Sequence, residues 1–199
     1  MARIKYTKNE LKKQKESLSR FRRYLPTLLL KKQQLQMEIR KIRQRRVKVE
    51  ADYTTLEMDA AEWIGVFGDQ TDIRPLIRTG KIITESGNIA GIDIPLFAGV
   101  DIRINEYDLF SAPLWVDKGI GLVTKMLTLQ AELAVIKVQL ALLAEELWVS
   151  SQRVNLFEKV KIPEARENIR VIKIYLGDQQ TNAVVRGKIS KNKIDRGRS

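Results

Sequence analysis

From Thr7 to about Phe67 the chain repeats apolar residues at alternating steps of three and four, and few folds can use such a run. The positions are Leu18, Phe21, Leu25, Leu28, Lys32, Leu35, Ile39, Ile42, Arg46, Val49, Tyr53, Leu56, Ala60, Trp63 and Phe67. Every seventh residue from Phe21 to Trp63 is apolar. A 3.5-residue period keeps one seam turned toward a partner helix, which is the pattern of a coiled coil. At 1.5 Å per residue the helix runs to roughly 90 Å, longer than a globular domain of this size buries. Thr7 and Glu10 stand at capping-box spacing at its start. Pro26 falls inside the run without shifting the heptad, so we expect a kink there and not a stop. Lys32 and Arg46 occupy seam positions. Either their stems pack while their charges reach water, or they fix the register.

Residues 68–115 read differently. Gly68, Pro75, Gly80, Gly87, Gly91, Pro95, Gly99 and Pro113 punctuate them. KIITESGNIAGIDI reads as a strand, a turn at Ser86-Gly87-Asn88 and a second strand, with LFAGVDIRI as a further strand. This is a small β-hairpin head.

From about Val116 the helical period returns through Leu122, Met126, Leu129, Leu133, Ile136, Leu140, Leu143, Leu147, Ser150, Val154 and Phe157. Val135, Val138, Ala141 and Leu142 lie off that seam, so a second apolar face over 133–147 needs cover. Beyond Pro163 the seam resumes at Ile162, Ala165, Ile169, Ile172 and Leu176, one residue late. Proline breaks or bends a helix, and here it coincides with a register slip. The reading is mainly α: a long antiparallel two-helix coiled coil (1–67 and 116–199) around the head. Pairing the first helix (8–66) end to end with the seam of the second (122–180) gives positions that sum to about 188. That sets Pro26 beside Pro163, so both helices bend at one level, and brings Arg43 across from Glu145 or Glu146.

Charge narrows the function. Residues 1–50 hold 17 Lys/Arg against 4 Asp/Glu, residues 181–199 hold 6 against 1, and residues 51–180 hold 13 against 19. An antiparallel arrangement gathers the basic ends at one tip. Nucleic acid is one reading of such a tip, but the tail VVRGKISKNKIDRGRS has no aromatic residue for stacking. A homodimeric scaffold is another. There is no cysteine and no histidine, so the commonest general base and metal ligand is missing. No phosphate loop follows GNIAG. We expect no catalytic, metal or cofactor site. No apolar run approaches 18 residues, so no membrane insertion is expected, and MARIKYTKNELKK has no signal-peptide core. Trp63, Trp115 and Trp148 read as packing or interface anchors.

Three stretches match a known pattern. QRVNLFEKVKIPEARENIRVIK (152–173) carries Arg153-Val154-Asn155, Glu158, Ile162-Pro163 and Ile169-Arg170. RYLPTLLLKKQQLQMEI (23–39) carries Leu-Pro followed by Leu-Lys-Lys-Gln-Gln-Leu. Thr7 and Leu11 form a Thr-x-x-x-Leu opening, with Tyr6 where the archaeal and eukaryotic branch tends to have proline. In these features the chain resembles the D-subunit family of V-type (vacuolar/archaeal-type) ATPases and ATP synthases, the central-stalk rotor. The resemblance implies a non-catalytic shaft. Its tip would enter a hexamer of A and B subunits, which bind the ATP. The F subunit would lie on the stalk and the ring-coupling subunit (C or d) at the head end. The complex would be peripheral, on the cytoplasmic face of a membrane. It further implies partner contacts at Arg153, Asn155, Glu158, Pro163 and Arg170. Leu133, Val138 and Leu142, on the second apolar face, are expected to dock the F subunit or to pack against the head. Pro26 and Pro163 are the expected bends in the shaft.

Overall fold

A computed structural model describes residues 5–63, 74–108, 112–113 and 115–196. The expected seam residue Phe67, Gly68 and the side chain of Trp63 lie outside the described set. The chain is mostly helical. A first helix, α1 (Lys8–Trp63), precedes a short 3-10 turn (Arg74–Leu76), two strands, β1 (Ile77–Ile89) and β2 (Ile92–Ile104), and then α2 (Trp115–Asn155), a π-turn (Leu156–Lys161) and α3 (Ile162–Arg196). It divides into two compact units, Met1–Lys31 with Val149–Ser199, and Lys32–Trp148.

α1 begins as its sequence directs. The Glu10 N–H donates to Thr7 Oγ1 at 3.2 Å, while the Glu10 carboxylate accepts from Gln14 Nε2 at 2.9 Å rather than closing the reciprocal half of the box. Pro26 lies within α1, which continues past it. The heptad positions carry the burial. Leu35, Ile39, Ile42 and Val49 are buried, and Leu18, Phe21, Leu25, Leu28, Lys32, Tyr53, Leu56 and Ala60 are half-buried. Arg46 departs from the seam: it is exposed and bonds Glu50 one turn on, at 2.7 Å.

In the first unit, α1 and the C-terminal helices run antiparallel. Tyr6 meets Tyr175, with ring centroids 5.1 Å apart, and Phe21 meets Phe157 at 5.3 Å. Between them Asn168 Nδ2 faces Gln14 Oε1 at 3.5 Å. These pairs sum to about 178 to 182, not to the 188 that end-to-end pairing gives. Pro26 is therefore five residues beyond Phe21 in one direction and Pro163 six beyond Phe157 in the other. They stand roughly 16 Å apart along the axis at 1.5 Å per residue, so the two prolines do not bend the helices at one level. End-to-end pairing fails because it carries the second seam to about residue 180, whereas Gly177–Arg196 is exposed throughout and the aromatic contacts between the helices run out to Tyr6–Tyr175.

The slip at Pro163 has a definite form. The N–H of Ile162 donates to the carbonyl of Phe157, five residues back. A π-turn adds one residue to the helix without breaking it. The inward-facing positions accordingly step from Val154 and Phe157 by five to Ile162, then to Ala165, Ile169 and Ile172. Pro163 has no N–H to give the carbonyl of Lys159, so the wider turn forms where an α-helical bond is already lost.

In the second unit, Leu35, Ile39, Ile42 and Val49 of α1 form one apolar cluster with Ile136 and Leu143 of α2 and Ile94 of β2. Arg45 donates to Glu132 Oε1 at 2.8 Å. This replaces the expected pairing of Arg43 with Glu145 or Glu146, by the same register error. β1 and β2 form a single antiparallel hairpin. Its turn is Ala90-Gly91, both at positive φ (54° and 80°), not Ser86-Gly87-Asn88. LFAGVDIRI is the continuation of β2, not a further strand. Asn88 stays in β1 and serves the turn from there. Its Oδ1 accepts the Gly91 N–H at 3.0 Å, and its Nδ2 donates to Asp93 at 2.7 Å. Two residues at positive φ make the turn type whose twist suits a two-residue hairpin. Ile89, Ala90, Ile92 and Ile94 at this end pack on the apolar cluster, and Gln139 of α2, 5% exposed, donates to the Pro95 carbonyl at 2.5 Å. A two-stranded hairpin is marginal alone; here the helices hold it.

Candidate partner-binding surface

The residues singled out in the sequence fall into two groups, one in each unit. Arg153, Asn155, Glu158, Pro163 and Arg170 lie in the first unit, on α2, the π-turn and α3, and all are exposed. The residues among them, Val154, Ile162 and Ala165, are buried. The motif therefore interleaves a packing seam with an outward polar face, and only that face is open to a partner. Arg170 is not free on it. Its guanidinium grips Glu167 through two hydrogen bonds, at 2.9 and 2.6 Å. The hydrogen bond from Arg170 lowers the Glu167 carboxyl below its ordinary range, and the same bond raises the Arg170 guanidinium.

Leu133, Val138 and Leu142 lie in the second unit and part ways. Leu133 and Leu142 pack against the apolar cluster, while Val138 is 48% exposed. The second apolar face of α2 is thus partly covered by the hairpin, as Gln139 and Ile94 show. What stays open is a stripe of Ala134, Val138, Ala141 and Trp148, the last 62% exposed. Of the two readings of Trp148, packing and interface, its exposure leaves the interface one. Beside Ala141 a groove of about 460 Å³ runs between α1 and α2, with Ile39, Val47, Leu140 and Ala144 along it and Arg43, Arg46 and Glu50 at its edge. The α1 wall of this groove is not singled out by the sequence. Val47 falls one residue after the seam position Arg46, and a heptad reading assigns such positions to solvent.

Three further observations bear on chemistry. Among the described residues no group of three or more Asp/Glu stands close enough to hold a metal ion. The first unit holds 22 Lys/Arg against 7 Asp/Glu, and the second 14 against 17, so the positive charge is concentrated where α1 begins and α3 ends. Trp115–Arg196 includes an 18-residue window of mean hydropathy 1.5, apolar enough by length and composition to cross a membrane. That window exceeds what a count of unbroken apolar residues suggests. Its apolarity has a local use, since Ile136 and Leu143 pack in the cluster with α1.

Comparison with known proteins agrees with this arrangement. The sequence profile of the ATP synthase D-subunit family matches residues 10–192. The D subunit of the V-type ATP synthase of Borreliella burgdorferi is 47% identical over 194 residues, covering 98% of this chain and 96% of that protein. The protein of the same name from Chlamydia pneumoniae is 32% identical over 200 residues, covering 96% and 93%. That of Chlamydia caviae is 33% identical over 196 residues, covering 97% and 94%. A profile match along nearly the whole chain and relatives alike over the same span, on a long helix, a hairpin and a second long helix, place this chain in the ATP synthase D-subunit family.

Proposed function

We propose that the chain is the central rotor shaft of a V-type ATPase or ATP synthase. It carries torque between a catalytic A/B hexamer and a membrane ion-translocating ring, and is itself non-catalytic. Alongside the family, the observation that carries this reading is the first unit, in which residues 6–21 pair side by side with residues 157–175 through Tyr6–Tyr175 and Phe21–Phe157 under a large surplus of positive charge. A shaft tip has to press on its surroundings without locking into one orientation. Flexible exposed cations suit that, because each surface contact contributes little. The packed helices of each unit resist twisting, and two strands lack the three-fold symmetry of the hexamer they would turn in. In this reading the A and B subunits surround the tip. The F subunit docks along the groove and the Val138–Trp148 stripe, and the ring-coupling subunit meets the head end. The complex sits on the cytoplasmic face of its membrane. Arg153, Asn155, Glu158, Pro163 and Arg170 contact partners through the outward face of the motif.

The test is pumping by the purified complex. With residues 1–20 and 180–199 removed, ATP hydrolysis should lose its coupling to ion movement. Undiminished pumping would sink the proposal. The charge surplus alone also suits nucleic acid, where log affinity falls linearly with log salt. If the tagged chain brings down nucleic acid and no A or B subunit, that reading takes over.

A further inference from the structure

The hairpin end away from its turn sets like charges against each other. Arg78 pairs with Arg103 across the two strands. Directly opposed residues project to the same face, and like charges there destabilise a hairpin. Both are exposed, and the Arg103 side chain, 77% exposed, reaches Asp101 only at 3.6 Å. Next to them the register slips, so that Gly80 and Lys81 stand opposite Asp101. A Cβ on Gly80 would come within 2.7 Å of Asp101 Oδ2, so glycine lets β1 close over that carboxylate. The result is a shallow concavity in which Arg78, Lys81 and Arg103 surround Asp101, with Ile83 and Val100 beside them. Ile83 is 53% exposed. Arginine is enriched at protein interfaces, whose centres are more apolar than the surrounding surface.

We propose that this concavity binds a carboxylate-bearing protein segment, an acidic surface of another subunit of the assembled complex. Guanidinium forks hold carboxylates through paired hydrogen bonds, and a carboxylate placed between Arg78 and Arg103 turns their repulsion into a shared attraction. An anionic membrane is the weaker occupant. Lipid-recognition clusters gather four to eight cations, whereas three are present here with Asp101 among them. The inference rests on the rotor reading for its setting, and the experiment separates the two.

The isolated chain and the native complex are each measured with Arg78→Glu. Reversal removes the repulsion and lets the introduced carboxylate pair with Arg103, so the melting temperature of the isolated chain should rise by up to about 3 °C. In the complex the same change, combined with Arg103→Glu, should release the A/B-containing sector from washed membranes at a markedly lower salt concentration. The pair Arg78→Lys and Arg103→Lys, which keeps the charge but loses the fork, should release it at a salt concentration between those of wild type and the double reversal. Unchanged retention of the double reversal, or a lowered melting temperature for Arg78→Glu, overturns the proposal. So does salt-dependent binding of the isolated wild-type chain to vesicles of 30% anionic lipid that the reversals abolish, which would assign the patch to the membrane. Failure of the wild-type chain to purify with A and B subunits would instead count against the rotor reading.

Discussion

The Phe21 and Phe157 rings lie 5.3 Å apart and tilted by 46°, and this contact sits at the edge of the π-turn, where the two helices must agree on a new register. Aromatic pairs at this separation contribute about 0.5–1.5 kcal/mol beyond the area they bury. Phe21→Ala or Phe157→Ala should each destabilise the isolated chain by about 1–3 kcal/mol, since both rings are half-buried rather than enclosed. A double-mutant cycle in urea should return a coupling energy near the aromatic value. Additivity would show that the rings merely fill space.

Gln139 ties α2 to the hairpin through one carbonyl. Gln139→Leu keeps the volume and leaves the Pro95 oxygen without that donor, so it should cost about 1–3 kcal/mol. Val138→Ala, one residue away and 48% exposed, should change stability by less than about 0.5 kcal/mol. Thermal melts of the two variants compare a buried tie with an open face on the same turn of helix.

Ala90 holds a φ of 54°, a conformation that suits glycine and asks a side chain to crowd the next carbonyl. Ala90→Gly should stabilise the chain by roughly 0.5–1 kcal/mol, the relief of strain exceeding the lost methyl contact and the added chain entropy. A lower denaturation midpoint would mean that the methyl packing on the apolar cluster outweighs the strain.

Glu167 titrates below its ordinary value because Arg170 donates to it. A depressed folded-state value gives stability that is present above the unfolded value, near 4.5, and that fades as pH falls through the folded one. Both groups are solvent-exposed, so the effect on stability is small. Arg170→Ala should move the Glu167 titration, followed by carboxyl NMR, upward toward the ordinary range, with no change in melting at neutral pH.

Pro163→Ala separates two causes of the π-turn. The inward-facing steps at Phe157, Ile162 and Ala165 require an extra residue whatever follows. The Ile162 N–H should therefore keep its bond to Phe157 in the variant, with stability within about 1 kcal/mol of the parent. If proline alone imposed the turn, the variant would rewind, α3 would present its polar face to α1, and stability would fall by several kcal/mol. Hydrogen exchange at Ile162 distinguishes these outcomes.

Much of the architecture is legible in the chain. Period alone places Leu35, Ile39, Ile42 and Val49 in the seam, and the buried series Ile162, Ala165, Ile172 follows from the same arithmetic after its slip. Period fixes which face is buried but not which residue lies across, so Arg45 and Glu132 cannot be paired without knowing that α3 outruns its partner. The turn is misplaced by composition because Gly87-Asn88 has turn residues, while the hydrogen bond that the Gly91 N–H donates to Asn88 Oδ1, bracing the turn around Ala90, is a feature of the fold. The outward faces are least legible. Trp148 reads by residue type as either a packing or an interface anchor, and only the fold shows it exposed; Arg78 meets Arg103 only once the hairpin register is known.

The single added residue between Phe157 and Ile162 has a consequence for inheritance as well as for packing. A lineage that lost one codon between 158 and 160, and exchanged Pro163, would keep every seam contact on either side. Loss of one codon at 145 would instead carry Leu147, Ser150 and Val154 out of the seam. The π-turn is thus a point at which descent could lengthen or shorten one strand of the pair without disturbing the other, and length variation among relatives is expected to settle there.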